Sequence, residues 1–330
     1  MKALVIAEKN AQPVWREVPD LIAGPGEAIV ELYAAALNHR DVWIQRGQYA
    51  GLRYPIVVGS DGAGIVASSD ATAWVSKAVI INPGLYWGDQ ESHQSPTSFN
   101  VLGLPSDGTL AEYVRVPVDN LVEKPPHLGW EEAAALPLAG ITAFRSLVIR
   151  AQVQAGERVL VTGVGGGVAL FALQFALAMG ARVYATSGND GKLAKAFAMG
   201  VSGGVNYKDT GWVSALRSLT GGFDVIIDGT AGSSVNDLLD LAVPGGRLVF
   251  YGATLGNATD VLIRRIFWKQ LNVMGSTMGS PGDFSAMVAS VSAHGLRPVI
   301  DSVFPPPEID VAFRRMEEGG QFGKIVIKIK

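Results

Sequence analysis

The sequence contains no cysteine in 330 residues. Disulfides are thereby excluded, and so is any zinc site built on thiolates. Charge is also scarce. Asp, Glu, Lys and Arg make up 17% of the chain against 48% hydrophobic residues, a balance that buries a large core and argues against disorder. The formal net charge is −3, with both signs scattered. The chain therefore lacks the basic face needed to neutralise phosphates, and no nucleic-acid partner is expected. Residues 1–8 (MKALVIAE) lack the long apolar core and small-residue cleavage site of a secretory signal and read as a first strand. A cytoplasmic enzyme is expected. One uncharged run, residues 159–181, is long enough to span a bilayer. However, Gly163, Gly165, Gly166 and Gly167 break it near its start. A strand, a glycine turn and a buried helix explain it better, so no membrane partner is expected.

What is present points to two domains, since the chain is long for a single core. The first third is β-rich. Short apolar runs at residues 3–7, 28–33, 62–67, 78–82 and 113–116 are separated by turn signals such as Gly24-Pro25-Gly26. Residues 83–106 are rich in Pro, Gly, Ser and Asn and read as a loop or lobe. After Pro125-Pro126 strands and helices alternate. Strands are predicted at 158–162, 181–186, 224–228, 247–251 and 273–276, with helices beginning near 130 and at 168–179, 192–199 and 235–242. Such alternation implies a parallel sheet with right-handed crossovers. Strand-like sequence returns at 299–304 and 323–329.

The sharpest feature is the run from Val159 to Ala169, VLVTGVGGGVA. A buried strand enters glycines and then a helix. A dinucleotide pyrophosphate approaches such a backbone closely, where a Cβ would clash. Free N–H groups and the positive helix end meet its charge. Ala169 fills the last, Gly-or-Ala position of the usual fingerprint. A glycine cluster alone is weak evidence and also suits a purely structural turn. The surrounding order of strand, turn, helix and strand strengthens the binding reading. Gly163, Gly165, Gly166, Gly167 and Val168 are the cofactor-binding candidates. A site for NAD places a carboxylate at the end of the second strand, on the ribose 2′-hydroxyl. Here that place holds Ser187, with Lys192 close behind. This favours NADPH. Asp190 lies past the expected strand end and reads as a helix cap. Lys192 would equally serve as a solvated surface lysine.

Several stretches, in this order, resemble the medium-chain dehydrogenase/reductase superfamily over nearly the whole chain. They are Asn38-His39-Arg40-Asp41-Val42, residues 55–66 (PIVVGSDGAGIV), residues 107–113 (DGTLAEY), residues 135–143 (ALPLAGITA), the glycine turn and Val205-Asn206-Tyr207. The resemblance implies an α/β fold with a GroES-like β-rich catalytic domain (1–122 and 295–330). A Rossmann doubly wound parallel-sheet domain (123–294) is expected between these segments. Zinc members of the superfamily carry a cysteine in the first motif and a His-Glu pair in the second. This chain has Asn38, Ser60 and Asp61 there, and neither Asn38 nor Ser60 is a good zinc ligand. No metal is expected, and the resemblance is to the zinc-free quinone oxidoreductase-like branch. The cysteine-free lobe at 83–104 departs from that branch, in which the region is often shortened.

Loss of a metal suits hydride addition to an acceptor that is already electrophilic, a quinone or an α,β-unsaturated carbonyl. Charge then moves onto an oxygen that hydrogen-bond donors can stabilise. By resemblance Asn38 lies near the substrate or nicotinamide ribose, though a structural amide reads equally well. Asp41 orders the active-site wall. Tyr49 and Tyr54 are candidates to line the pocket or donate a proton, with simple packing the plainer role. Thr142, Tyr207, Asp228, Gly252, Ala253, Thr254, Ser276 and Thr277 complete the cofactor-side candidates. Asp228 would equally cap the turn that follows it. A homodimer is expected by resemblance. Two other readings stay open: a non-catalytic nucleotide-binding protein, and an alcohol dehydrogenase-like enzyme with an unconventional site.

Overall fold

The computed structural model describes residues 1–330. Met1–Ile141 with Gly279–Lys330 form one compact unit, and Thr142–Met278 form the other. The first unit therefore takes residues 123–141 and 279–294, which the sequence reading placed in the dinucleotide domain. The reason is packing. The helix Trp130–Ala135 lies on the strands Glu27–Ala36, Asp61–Ser69 and Lys324–Lys328. The Trp130 ring stacks on Tyr33 with centroids 4.5 Å apart. Arg297 Nη1 donates to both carboxylate oxygens of Glu132, at 2.8 and 2.7 Å. The helix Pro281–Ala293 opens on Ser280, whose Oγ accepts from Asp283 N at 3.0 Å.

The first unit is built on one long strand, Glu27–Ala36, whose alternating and continuous apolar positions bury it almost throughout. It pairs antiparallel with Asp61–Ser69, Tyr113–Pro117 and Lys324–Lys328. Two of these registers matter for function. Ala36 faces Asp61 on one side and Val326 on the other. The ends of three strands distant in sequence therefore converge beside Leu37 and Asn38. Beneath them lies a core of Leu37, Ile44, Phe313 and Ile325, all nearly inaccessible. The helices His39–Gln45 and Ile309–Glu317, absent from the sequence reading, cover it.

The second unit is a six-stranded parallel sheet. Its spatial order is Gly203–Asn206, Arg182–Ser187, Arg158–Val161, Phe223–Asp228, Ala242–Phe250, Asn272–Gly275. This is the doubly wound order, with its reversal between the first strand in sequence and the fourth. Central strands covered on both faces read as unbroken apolar runs. Accordingly Val159, Leu160, Val161, Val225, Ile226 and Ile227 are fully buried. The strand Gly203–Asn206 carries two glycines and gave no β signal in the sequence. No helix of the chain is long and apolar enough to cross a membrane.

Candidate active site

Two clusters carry the candidate chemistry, one in each unit. The nucleotide cluster lies where the sheet order reverses. The strand Arg158–Val161 runs into Thr162 and Gly163, and the helix Gly167–Ala178 begins after Gly166. Gly163 and Gly165 take φ of 62° and 135°, a region open mainly to glycine. A Cβ on Gly166 would meet nothing within 4 Å. The turn is thus a bare backbone cradle at a helix N-terminus, a fitting seat for a pyrophosphate. Ser276, just beyond the edge strand Asn272–Gly275, adds a buried Oγ with no hydrogen-bond partner. Both observations fit a nicotinamide dinucleotide.

The neighbours of the turn are fixed as follows. Asp228 accepts from Thr230 N at 3.0 Å, Thr230 Oγ1 at 2.8 Å and Ala231 N at 2.7 Å. It also accepts from Thr162 Oγ1. It thus caps its own loop and ties the two strand ends that border the reversal. Ser187 is 3% exposed, and its Oγ donates to Val164 O at 3.2 Å. The hydroxyl braces the turn from within. Lys192 lies across the turn. A Cβ on Gly165 would sit 2.7 Å from Lys192 Cδ and 3.3 Å from its Nζ. The Tyr207 side chain is half exposed, with its hydroxyl over Gly188. Thr142 is buried, and its carbonyl accepts from Ser146 Oγ at 2.7 Å. Val168 lies in the first turn of the glycine-led helix. Gly252, Ala253 and Thr254 form an exposed loop, held by Thr254 N donating to Gly229 O at 3.2 Å. Thr277 is exposed.

The polar cluster of the first unit sits at the three converging strand ends. Asn38 is 8% exposed. Its Nδ2 donates to Asp61 Oδ2 at 2.9 Å, and its Oδ1 accepts from Lys324 Nζ at 2.7 Å. Lys324 Nζ also donates to Asp61 Oδ2 at 2.8 Å and to Leu37 O at 2.8 Å. Asp61 Oδ1 accepts from Leu138 N at 2.7 Å. Asp41 is fully buried and accepts from Asn38 N at 2.8 Å and Gly59 N at 3.2 Å. Burial raises its pKa, opposed mainly by Arg40 and the bond from Asn38 N. Arg40 Nη1 donates to Ser60 Oγ and Leu102 O, each at 2.6 Å. The guanidinium also packs over the Tyr49 ring, 5.1 Å from its centroid. Tyr49 Oη accepts from Arg40 Nε at 3.4 Å. The Tyr54 hydroxyl donates to Ile44 O, and burial raises its pKa.

These contacts bear on a metal. Asn38 Oδ1 and Asp61 Oδ2 are both turned onto an ammonium. Ser60 Oγ is held between Arg40 and Leu102 O, to which it donates at 2.8 Å. No group of three or more His, Cys, Asp or Glu side chains is gathered to hold a metal ion. The residues present do not fit a zinc ion, which needs about three free donors, preferably sulfur or imidazole. Sequence reasoning named Asn38 and Asp41 as site residues, treated Asp61 only as a lost metal position, and missed Lys324. Its only signal was a cation opening the apolar run Lys324–Lys328, and nothing local says which strand it joins.

Comparison with known proteins agrees with this architecture. The alcohol dehydrogenase GroES-like domain family matches residues 24–126, and the zinc-binding dehydrogenase family matches residues 167–293. The zinc-type alcohol dehydrogenase-like protein YogA of Leptosphaeria maculans is 36% identical over 93% of this chain and 91% of its own. A quinone oxidoreductase of Pongo abelii is 27% identical over 99% of this chain and 97% of its own. Among solved structures, an NAD-dependent alcohol dehydrogenase superposes with a TM-score of 0.94 at 35% identity, and each chain is covered fully.

Proposed function

Since the chain belongs to the medium-chain dehydrogenase/reductase superfamily of NAD(P)-dependent oxidoreductases, we propose that it transfers hydride from NADPH to a quinone or an α,β-unsaturated carbonyl without a metal. One observation carries the cofactor half: Lys192 lies over the phosphate-binding turn while the end of the neighbouring strand offers no carboxylate. A cation in that place favours a 2′-phosphate, and a carboxylate would favour the free hydroxyl of NADH. The acceptor half rests on the donor set. The positions that hold metal ligands in zinc relatives are here committed to Lys324 and Arg40. An acceptor that needs no strong Lewis acid suits them.

When bound, the reduced nicotinamide supplies the hydride. The chain's own residues do the rest. Amides of residues 163–167 would hold the cofactor's pyrophosphate, and Lys192 and Tyr207 would hold its 2′-phosphate. Asn38, its amide orientation fixed by Asp61 and Lys324, presents its second Nδ2 hydrogen to the acceptor oxygen as charge builds there. Tyr49 is the better proton donor of the two tyrosines. Its oxygen accepts from Arg40 and its own hydrogen has no acceptor in the protein, whereas the Tyr54 hydrogen is spent on Ile44 O. Asp41 orders the wall by holding Asn38 N and Gly59 N. We further propose a homodimer. Ile263, Phe267 and Trp268 expose 62, 62 and 80% of their surface beside the sheet-edge strand Asn272–Gly275, an apolar patch that a second copy would cover.

The test is steady-state oxidation of NADPH and NADH against a panel of quinones, enones, aldehydes and ketones, with metal content measured on the same sample. Faster turnover of NADPH with quinones or enones, at a zinc content far below one per chain, supports the reading. Turnover confined to simple ketones or aldehydes with stoichiometric zinc overturns it.

A further inference from the structure

The edge of the nucleotide sheet holds a carboxylate that the reading above does not use. Asp190 follows the strand Arg182–Ser187 by three residues and opens the helix Asp190–Ala198. Its Oδ1 accepts from Asn206 Nδ2 at 2.9 Å. Asn206 ends the adjacent strand, in register with Ser187. It is pinned at its other end too, because its Oδ1 accepts from Lys208 N at 3.1 Å. Asp190 is thus drawn along the sheet toward Gly203–Asn206 and away from the glycine turn on the other flank. Gly188, between the strand end and Asp190, borders Tyr207 and Lys208. A side-chain carbon there would lie 2.6 Å from the Tyr207 hydroxyl and 3.0 Å from Lys208 Cε. No acidic side chain can grow from residue 188 without displacing both. Lys208 brings its chain to this point, and its ammonium is in no ion pair.

We infer that Asn206 is a specificity-determining residue, tethering Asp190 so that its carboxylate cannot reach the ribose 2′-oxygen. Lys208 supplies a second positive charge at the subsite thus cleared. This rests on the NADPH reading and adds to it the reason why a nearby acid does not reverse the preference. A carboxylate on the ribose accepts from a 2′-hydroxyl but repels a 2′-phosphate. One exposed hydrogen bond holds it off, so release should move affinities by a few-fold and not by orders of magnitude.

The experiment is calorimetric titration of the full chain with 2′,5′-ADP and with 5′-AMP, so that turnover is not required. Wild type is expected to prefer 2′,5′-ADP. Asn206→Ala should lower that preference about threefold or more, through weaker 2′,5′-ADP binding and tighter 5′-AMP binding. Adding Asp190→Asn should restore it. Lys208→Ala should weaken 2′,5′-ADP alone. If Asn206→Ala does not fold, Asn206→Ser carries the same expectation. A wild type without preference for the 2′-phosphate would sink the NADPH reading itself. A wild type with that preference, unmoved by Asn206 substitution or moved equally when Asp190 is absent, would overturn the tether alone.

Discussion

Lys324 and Asp61, 263 residues apart, form a buried ion pair with Nζ 2.8 Å from Oδ2 and side chains 5% and 0% exposed. A pair this deep is held by its surroundings as much as by its own attraction, and Asn38 and Leu37 supply the remaining acceptors. Lys324→Met should therefore leave Asp61 charged without its cation and cost about 3–5 kcal/mol of stability in urea unfolding. Lys324→Met with Asp61→Asn should recover part of that loss. A single variant as stable as wild type would show that the pair does not hold these strand ends.

Gly165 tests the turn. Its φ of 135° strains any side chain, and a Cβ there would sit 2.7 Å from Lys192 Cδ, so that Lys192 must move. Gly165→Val is expected to lower affinity for NADPH and NADH alike, by tenfold or more in calorimetry, with little change in the far-ultraviolet spectrum. Retained affinity would remove the cradle from the binding scheme.

Ser187→Asp tests the cofactor preference. The Ser187 hydroxyl faces Val164 O with 3% of the residue exposed. An aspartate there must turn toward the ribose, adding the carboxylate that the strand end lacks. KM for NADPH should rise at least tenfold while KM for NADH rises less or falls. An equal rise for both would mean only that the turn was disturbed.

Acid should loosen the first unit through Asp301. Burial alone would raise its pKa, but bonds from Arg315 and Phe322 N outweigh burial and bring it down to about 2. A folded-state pKa below the unfolded value of about 3.9 stabilises at neutral pH and above. That stabilisation is lost as pH falls from about 4 to 2. Asp301→Asn should lower stability at pH 7 by about 1 kcal/mol after solvent screening. It should also flatten the urea midpoint over that acid range. A midpoint that falls as steeply in the variant would place the acid sensitivity elsewhere.

The apolar patch has a direct readout. Trp268→Lys should shift sedimentation toward the monomer without loss of helix content if Trp268 is covered by a second copy. An unchanged sedimentation coefficient at the dimer value would move the interface to another face.

The sequence was most readable where a single segment carries both pattern and purpose. The buried run Val159–Val161, its glycines and its helix were legible because strand, turn and helix follow one another without any partner. The glycine-bearing strand Gly203–Asn206 was not, since its β conformation comes from pairing with Arg182–Ser187 and not from propensity. Nor were the tethers at Asp190 and Asp61. Both depend on which residue a neighbouring strand brings alongside, and register is a property of the assembled sheet. The unit boundary shifted for a similar reason. Trp130 reads as the start of a helix, but its stacking on Tyr33 and the helix's packing on three distant strands are what assign it to the β-rich unit.

The convergence of Ala36, Asp61 and Lys324 has a consequence for how the chain acquires its structure. The first unit is made of two pieces separated by the whole of Thr142–Met278. During synthesis the leading piece emerges with the Ala34–Ala36 end of its long strand unpaired on one side, and with Glu31, Asp61, Glu131 and Glu132 lacking their cations. The nucleotide sheet, continuous in sequence, can close first, and contacts between such distant segments form late. A ribosome-bound fragment stopped before residue 324 should accordingly protect the nucleotide sheet from hydrogen exchange well before it protects residues 34–36.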